Sequence, residues 1–352
     1  MYWHPNGIGP DALVYRELGM LCKAIRLFIV SVIFTLMNLI DDKLYERIIA
    51  KKMRLDEHRP LSEEIVKRLR LKMEIEYTYH SNAIEGNTLT YRETQLVIRE
   101  GMTIGGKSVR DHLEAINHPH AIEYIETLKN RPLTESNILR VHEMIFSGIL
   151  ENAGNYRNSQ VFIEGADFVP PPAFEVPSLM KKLVEWVERN PNELRPIELA
   201  AVLHYKLVAI HPFDDGNGRV ARLLMNLLLI KHGYPFTIIR NYDRRRYYDT
   251  LEKADNDYLK PFVNFIARCA EESLDLYLSA IEPTNKNRQF IKLSEAAELV
   301  PYSQDYLSLL ARRGKLAAIK IGKDWYVTPE ALKNYLNSMK SRKTSKKQES
   351  KT

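Results

Sequence analysis

The chain has 352 residues, 45% of them hydrophobic and 27% charged, which predicts two or three domains with cores of ordinary size. Its formal net charge is +6, but Lys340, Arg342, Lys343, Lys346, Lys347 and Lys351 stand against Glu349 alone in the last residues, so the remainder is close to neutral and overall charge is weak evidence for nucleic acid. Cys22 and Cys269 are the only cysteines, which excludes a disulfide framework and fits a reducing, cytoplasmic setting.

Residues 1–59 form an N-terminal segment. Within it Leu27 to Ile40 is almost wholly apolar and follows Lys23 and Arg26. The stretch is shorter than the roughly 20 residues of a membrane span, and no cleavage site of small residues follows it. A local helix, a signal anchor and an upstream artefact ahead of a true start at Met37 all remain open, and no stable membrane partner is expected.

From Pro60 the pattern is helical. Ile65, Leu69, Met73 and Tyr77 recur every four residues on one face. Pro132, Thr134 and Asn137 open a helix running toward Leu150. Further helices are predicted over Val176–Arg189 and Pro196–Ile210, from near Gly218 to Gly233, and over Arg244–Lys253 and Leu259–Ala280. Between them, Val161-Phe162-Ile163 and Phe168-Val169 flank Glu164–Asp167 and read as a short hairpin, ended by Pro170, Pro171 and Pro172. A polar linker is predicted over 281–289, a small second unit over 290–338 and a disordered basic tail over 339–352, with no internal repeat.

The informative stretch is His211-Pro-Phe-Asp-Asp-Gly-Asn-Gly-Arg-Val-Ala-Arg222, between two helical segments. Gly216, Asn217 and Gly218 open the second helix, whose free N–H groups make an anion site. Arg219 and Arg222 lie three apart, on neighbouring positions of one face, and suit phosphate oxygens. Asp215 is an oxygen ligand of the kind Mg²⁺ takes beside substrate phosphates. His211 is a base at the mouth of the loop. Together these residues describe a histidine base beside a metal-triphosphate site.

The stretch matches H-x-F-x-[D/E]-G-N-G-R-x-x-R at every fixed position and so resembles the Fic family. The likeness extends over roughly Leu61 to Ala280, through His204-Tyr-Lys-Leu-Val-Ala-Ile before the motif and Leu223-Leu-Met-Asn-Leu and Gly233-Tyr-Pro after it. The resemblance implies a mainly α fold, a Fic-type helical bundle with a β-hairpin flap, over 60–280 with its core at about 134–270. It implies transfer of AMP from ATP to Ser, Thr or Tyr hydroxyls of target proteins. His211 would take the hydroxyl proton, Phe213 would anchor the loop and Asp215 would hold Mg²⁺. Gly216, Asn217, Gly218, Arg219 and Arg222 would hold the phosphates, with Tyr247 and Tyr248 near the adenine. The intact Gly-Asn-Gly-Arg core is that of the AMP-transferring branch rather than of the phosphotransferase branch. The hairpin at Val161, Phe162 and Ile163 takes the place of the family's target-docking flap.

Ser81-Asn-Ala-Ile-Glu85-Gly86 resembles the family's inhibitory motif, [S/T]-x-x-x-E-[G/N]. It implies that Glu85 pairs with Arg222 and competes with the γ-phosphate, with Ser81 four residues away on the same helix face. The same glutamate assists AMP removal in relatives, so either direction is open, as are self-modification and homodimerisation. His80, His112, His118, His120, His142, His204 and His232 have no supporting constellation and read as structural or surface residues.

In the C-terminal unit, Leu293–Leu299 reads as a helix capped by Ser294 and Gln304–Arg313 as a second capped by Ser303, ending at Gly314. Lys315–Ile321 and Trp325–Val327 form a wing, and Thr328-Pro-Glu330 opens a last helix. The unit resembles excisionase-like winged helix–turn–helix domains, which implies DNA contacts from Ser303, Gln304, Tyr306, Arg312, Arg313, Lys320 and Lys323. A DNA-binding regulator with a nucleotide-sensing site is therefore the competing reading of the whole chain.

Overall fold

The computed structural model describes residues 38–163, 168–281, 290–313, 315–329, 331–333 and 335–336. The expectations for residues 1–37, the hairpin turn 164–167, Gly314, most of the linker and the basic tail lie outside them. Two compact units emerge, one of residues 38–42 and 71–267, the other of 43–70 and 268–336. Among the described residues no helix is long and apolar enough to cross a membrane.

The architecture is mainly helical, as expected. In chain order come α1 (Asp42–Glu57), α2 (Glu63–Ile84), α3 (Tyr91–Glu100), α4 (Val109–Thr127), α5 (Glu135–Phe146), α6 (Val176–Arg189), α7 (Pro196–Ile210), α8 (Asn217–Lys231), α9 (Arg244–Asp255) and α10 (Lys260–Ile281). The first unit is organised around α8, which packs against α7, α4 and α5. Val220 to Leu229 is an unbroken buried run, Arg222 and Asn226 included, and a helix buried on all sides belongs at the centre of a bundle. The predicted α2 stripe is borne out at Leu69, Met73 and Tyr77, all buried.

The described end of the N-terminal apolar stretch joins the core. Leu39 and Ile40 are buried, and their N–H groups both donate to Glu198 Oε1, at 2.9 and 3.1 Å. Asn264 closes the same turn, accepting from Asp41 N and donating to Leu39 O.

Helices α1, α3 and α4 were not foreseen. For two of them the signal was present as capping boxes: Thr90 with Glu93, and Ser108 with Asp111. Thr134 caps α5 as expected, but that helix stops at Phe146 instead of Leu150, where Gly148 takes φ 71°.

Among the described residues the expected flap hairpin shows no paired strands, and its turn lies outside them. Residues 161–163 and 168–171 carry no strand ladder. Pro170, Pro171 and Pro172 have no N–H to donate. The first two carbonyls are taken by side chains, Gln160 Nε2 donating to Pro170 O at 3.0 Å and Arg157 to Pro171 O, while Pro172 O accepts from Glu175 N at 3.0 Å.

In the second unit, α1 is tied to α10 by Arg47 and Lys51, which pair with Glu271 at 2.8 and 2.9 Å, while Lys51 also reaches Asp275. Beyond α10 come β1 (Ile291–Lys292), α11 (Leu293–Glu298), α12 (Gln304–Arg312), β2 (Ala318–Ile321) and β3 (Asp324–Val327). The sheet order is β1-β3-β2, all antiparallel, with Ile291 opposite Val327 and Ala318 opposite Val327 from the other side. The strand β1 was not foreseen. Because it runs straight into α11, Lys292 and not Ser294 occupies the cap position. Ser303 does cap α12, accepting from Tyr306 N. Leu293, Ala296, Leu307, Leu310, Leu316 and Val327 supply the core.

Candidate active site

The loop between α7 and α8 is built by backbone first. His211 ends α7 in the left-handed region (φ 52°), with its N–H on Leu207 O at 2.9 Å. Its Nδ1 lies 3.2 Å from Val208 O. A carbonyl only accepts, so Nδ1 carries the proton and Nε2 keeps a lone pair. Burial pushes the imidazole below its ordinary pKa and the Arg157 charge adds to this, while the Val208 carbonyl, Glu85 and Asp215 act in the opposite direction. His211 is thus a neutral imidazole with an accepting Nε2, the form a general base needs.

Phe213 is fully buried and stacks on His142 at 3.8 Å between centroids. His142 accepts from Gly154 N through Nδ1 and donates through Nε2 to Asp215 O. This histidine is structural, as its sequence context suggested, and it pins both ends of the loop. The Asn217 amide closes the turn by accepting from Phe213 N at 2.9 Å and donating to Phe213 O at 2.8 Å. Its side chain is therefore spent on the loop, leaving its backbone for a ligand.

The two glycines have separate geometric reasons. Gly216 sits at φ 80°, and a Cβ there would stand 2.0 Å from the Phe146 ring. At Gly218 a Cβ would stand 2.5 Å from Glu85 Oε1 and 3.0 Å from Arg222 Nη1. The Glu85 carboxylate thus lies directly against the first turn of α8, where a helix offers its anion site.

Glu85 Oε1 is 2.7 Å from Arg222 Nη1. Arg222 is almost fully buried and also donates to Ser81 Oγ at 3.0 Å and Ser81 O at 2.8 Å. Burial opposes its charge, but Glu85 and the nearby Tyr247, Tyr77 and Tyr248 hold its pKa above the ordinary value. Ser81 is in the last turn of α2, whereas Glu85 stands one residue past its end, in a turn with Gly86 at φ 97°. The two residues meet Arg222 without sharing a helical face in the regular sense.

Arg219 is buried as deeply and lies 4.6 Å over the Phe146 ring. Its charge is met by Glu114 at 2.7 Å and Asp215 at 3.3 Å. Arg110 pairs with the same two acids, with Glu114 at 3.1 Å and with the second oxygen of Asp215. Two arginines and two carboxylates therefore form a closed ring beside the loop. Burial works against ionisation of Asp215, but Arg219 and Arg110 hold its carboxyl below the usual range. Arg110, Glu114 and Arg157 were not foreseen from the sequence. Arg110 and Glu114 lie a hundred residues before the motif on α4, and only the fold brings them to it.

The remaining expected residues are placed as follows. Tyr247 is buried, with its hydroxyl 3.0 Å from His204 Nε2, and walls the Arg222 chamber instead of facing outward. Tyr248 is part-exposed and lies under Arg244 at 4.8 Å. Phe162 is 77% exposed, with Val161 and Ile163 part-buried beside it.

In the second unit Ser303, Gln304, Tyr306, Arg312, Arg313 and Lys323 are exposed. Lys320 is the exception. It is part-buried and pairs with Glu272 at 3.3 Å, so it is not a free cation of the wing. Among the described residues no group of three or more His, Cys, Asp or Glu could hold a metal by itself.

A helix–loop–helix carries a neutral histidine, an acid and two buried arginines around a glycine-bounded helix start, which is the arrangement the Fic motif specifies. The Fic/DOC family model matches residues 132–229, and a helix-turn-helix domain model matches 290–340. The structure of a Fic domain containing signaling protein from Bacteroides thetaiotaomicron shares 35% identity, covers 67% of this chain and 96% of its own, and superposes with a TM-score of 0.62. Fic-1 from C. elegans shares 31% identity over 78% of each chain, with a TM-score of 0.62. The chain belongs to the Fic/DOC family. It is 42% identical over 211 residues to a protein adenylyltransferase Fic of Nematostella vectensis, which covers 58% of this chain and 49% of that protein. It is 36% identical over 290 residues to the one of Aedes aegypti, covering 80% and 58%. The chain thus spans about half the length of the curated relatives it matches.

Proposed function

We propose that the protein transfers AMP from ATP to serine, threonine or tyrosine hydroxyls of target proteins, itself included, and that Glu85 silences this activity. The observation that carries the reading is the Glu85 carboxylate, seated against Gly218 at the start of α8 and paired with Arg222 at 2.7 Å. An anion already occupies the place a phosphate would take, so the site is complete and blocked.

In the transfer step His211 Nε2 takes the proton of the target hydroxyl as its oxygen attacks the α-phosphorus of ATP. The bond from that phosphorus to the bridging oxygen breaks, and pyrophosphate leaves. The start of α8 at Gly216, Asn217 and Gly218, with Arg219 and Arg222, would bind the triphosphate once Glu85 has left Arg222. Part-exposed Asp215 fits Mg²⁺, because that ion uses one or two carboxylates and takes its other ligands from phosphates and water. Bound there, the ion would supply charge neutralisation for the triphosphate. Arg110 would have to release Asp215 first. Positioning and charge stabilisation carry most of the rate in such transfers, and the base adds about 10²–10⁴-fold.

Names of relatives support this reading, as does the intact histidine. The extended segment at Val161, Phe162 and Ile163, without a ladder partner, suits registration of a target chain by strand addition. We further read 60–280 as the catalytic domain and 290–338 as a winged helix–turn–helix that places α12 in a DNA groove. A cytoplasmic setting and a homodimer accord with the composition and the family.

The test uses purified protein with Mg²⁺ and α-labelled ATP. Label on protein should be faint for wild type, strong for Glu85→Gly and absent for Glu85→Gly/His211→Ala. Equal label in all three would remove both the base and the brake. Release of AMP from labelled protein by wild type would assign the reverse direction.

A further inference from the structure

Arg157 stands outside the motif, yet its side chain is committed entirely to the site. It is only 2% exposed. Its Nε donates to His211 O at 2.7 Å, and its Nη1 donates to Ser159 O at 2.8 Å. Its Nη2 donates to Pro171 O. Its backbone N–H donates to Pro212 O at 2.9 Å. No carboxylate lies among these partners, and burial lowers its pKa with only Asp214 acting against this.

A guanidinium without a paired acid is costly to bury, and hydrogen bonds to carbonyls offset that cost only when several are made at once. Here they are made to three separate pieces of backbone: the histidine itself, the start of the target-docking segment and its end. The planar fork of arginine fixes the distances among all three.

We propose that Arg157 is a positioning residue for the transfer step, holding His211 and both ends of the target-docking segment in one frame. The proposal rests on the adenylyl-transfer reading. The acceptor hydroxyl, presented by a chain lying against the described flanks 159–163 and 168–171, is brought to His211 Nε2 because one side chain sets both. Lysine retains the charge but cannot make three directed bonds in a plane, so Arg157→Lys loses the frame and keeps the field. Arg157→Gln loses the field and most of the frame.

The charged and titratable groups that face His211 are Arg157, Glu85 and Asp215. Of the three, Arg157 is the one that disfavours a protonated imidazole. Its removal therefore raises the pH at which His211 takes up a proton.

Both variants are made in the Glu85→Gly background. Self-labelling from α-labelled ATP is followed against pH and ATP concentration, and the His211 imidazole is titrated by NMR in the same proteins. The expected result is a fall in plateau rate of about 10²-fold for each variant, the scale of a misplaced reacting group. The KM for ATP should stay within about two-fold, since no contact to phosphate is assigned to Arg157. The His211 titration should move to higher pH in Arg157→Gln and stay in place in Arg157→Lys. A plateau rate for Arg157→Lys equal to that of the parent overturns the proposal. So does a loss of ATP affinity that matches the loss of rate, which would mark a merely structural residue. If the parent transfers no label, the adenylyl-transfer reading falls and takes the kinetic arm with it. The titration then decides alone: a His211 midpoint unmoved in Arg157→Gln overturns the proposal.

Discussion

The motif residues each hold a place that another side chain cannot take. Gly216 combines φ 80° with a Cβ position 2.0 Å from the Phe146 ring. Gly216→Ala must strain the backbone and displace that ring, and is expected to cost about 2–4 kcal/mol; urea denaturation checks it, and an unchanged midpoint would contradict the packing described. Glu114 is a residue of a different kind. It neutralises Arg219 at 2.7 Å from a buried position, so Glu114→Ala leaves a buried guanidinium with Asp215 alone and should cost about 3 kcal/mol. The sequence made His211, Asp215 and Arg222 legible because their chemistry lies within one short stretch. It did not show Glu114, Arg110 or Arg157, whose partners are far along the chain and whose residue types are common on any surface. Arg110 yields a third expectation: because it pairs with Asp215, Arg110→Gln in the Glu85→Gly background should lower the Mg²⁺ concentration for half-maximal labelling.

Among the elements, periodicity served where a helix has a single buried stripe, as in α2 and α6, and where glycine and proline mark the ends, as around α8. It missed α3 and α4, for which the capping boxes at Thr90 and Ser108 were the readable signal. The described flanks of the flap carry no strand ladder for a physical reason. Its apolar residues have the strand pattern, but the carbonyls of Val161, Pro170 and Pro171 are taken by the Gln160 and Arg157 side chains, and Phe162 is 77% exposed. If a target chain pairs with the segment through backbone hydrogen bonds, proline at 163 would remove a donor. Ile163→Pro should then reduce labelling of other proteins in a lysate while leaving ATP binding intact, measured side by side. Equal loss of both would place the segment in nucleotide binding instead.

For the molecule as a whole, pH is the informative variable. Burial is the first cause that lowers the pKa of His118 to about 3, and of His80 and His142 to about 4. An unfolded chain protonates these groups below about pH 6.5, while the native state resists until near pH 4 or 3. Their contribution is complete above pH 6.5 and is lost progressively as pH falls from there, so the urea midpoint should drop between about pH 7 and 5. With Lys320 engaged by Glu272, DNA affinity should fall on Arg312→Ala and Arg313→Ala far more than on Lys320→Ala, measured by titration at fixed salt. The reaction itself is tested most directly by comparing α-labelled with γ-labelled ATP on Glu85→Gly protein. Label from the α-phosphate alone, absent when His211 is replaced by alanine, is the expected result. Label from the γ-phosphate alone would make the protein a phosphotransferase and contradict the role given to the Gly216–Arg222 segment.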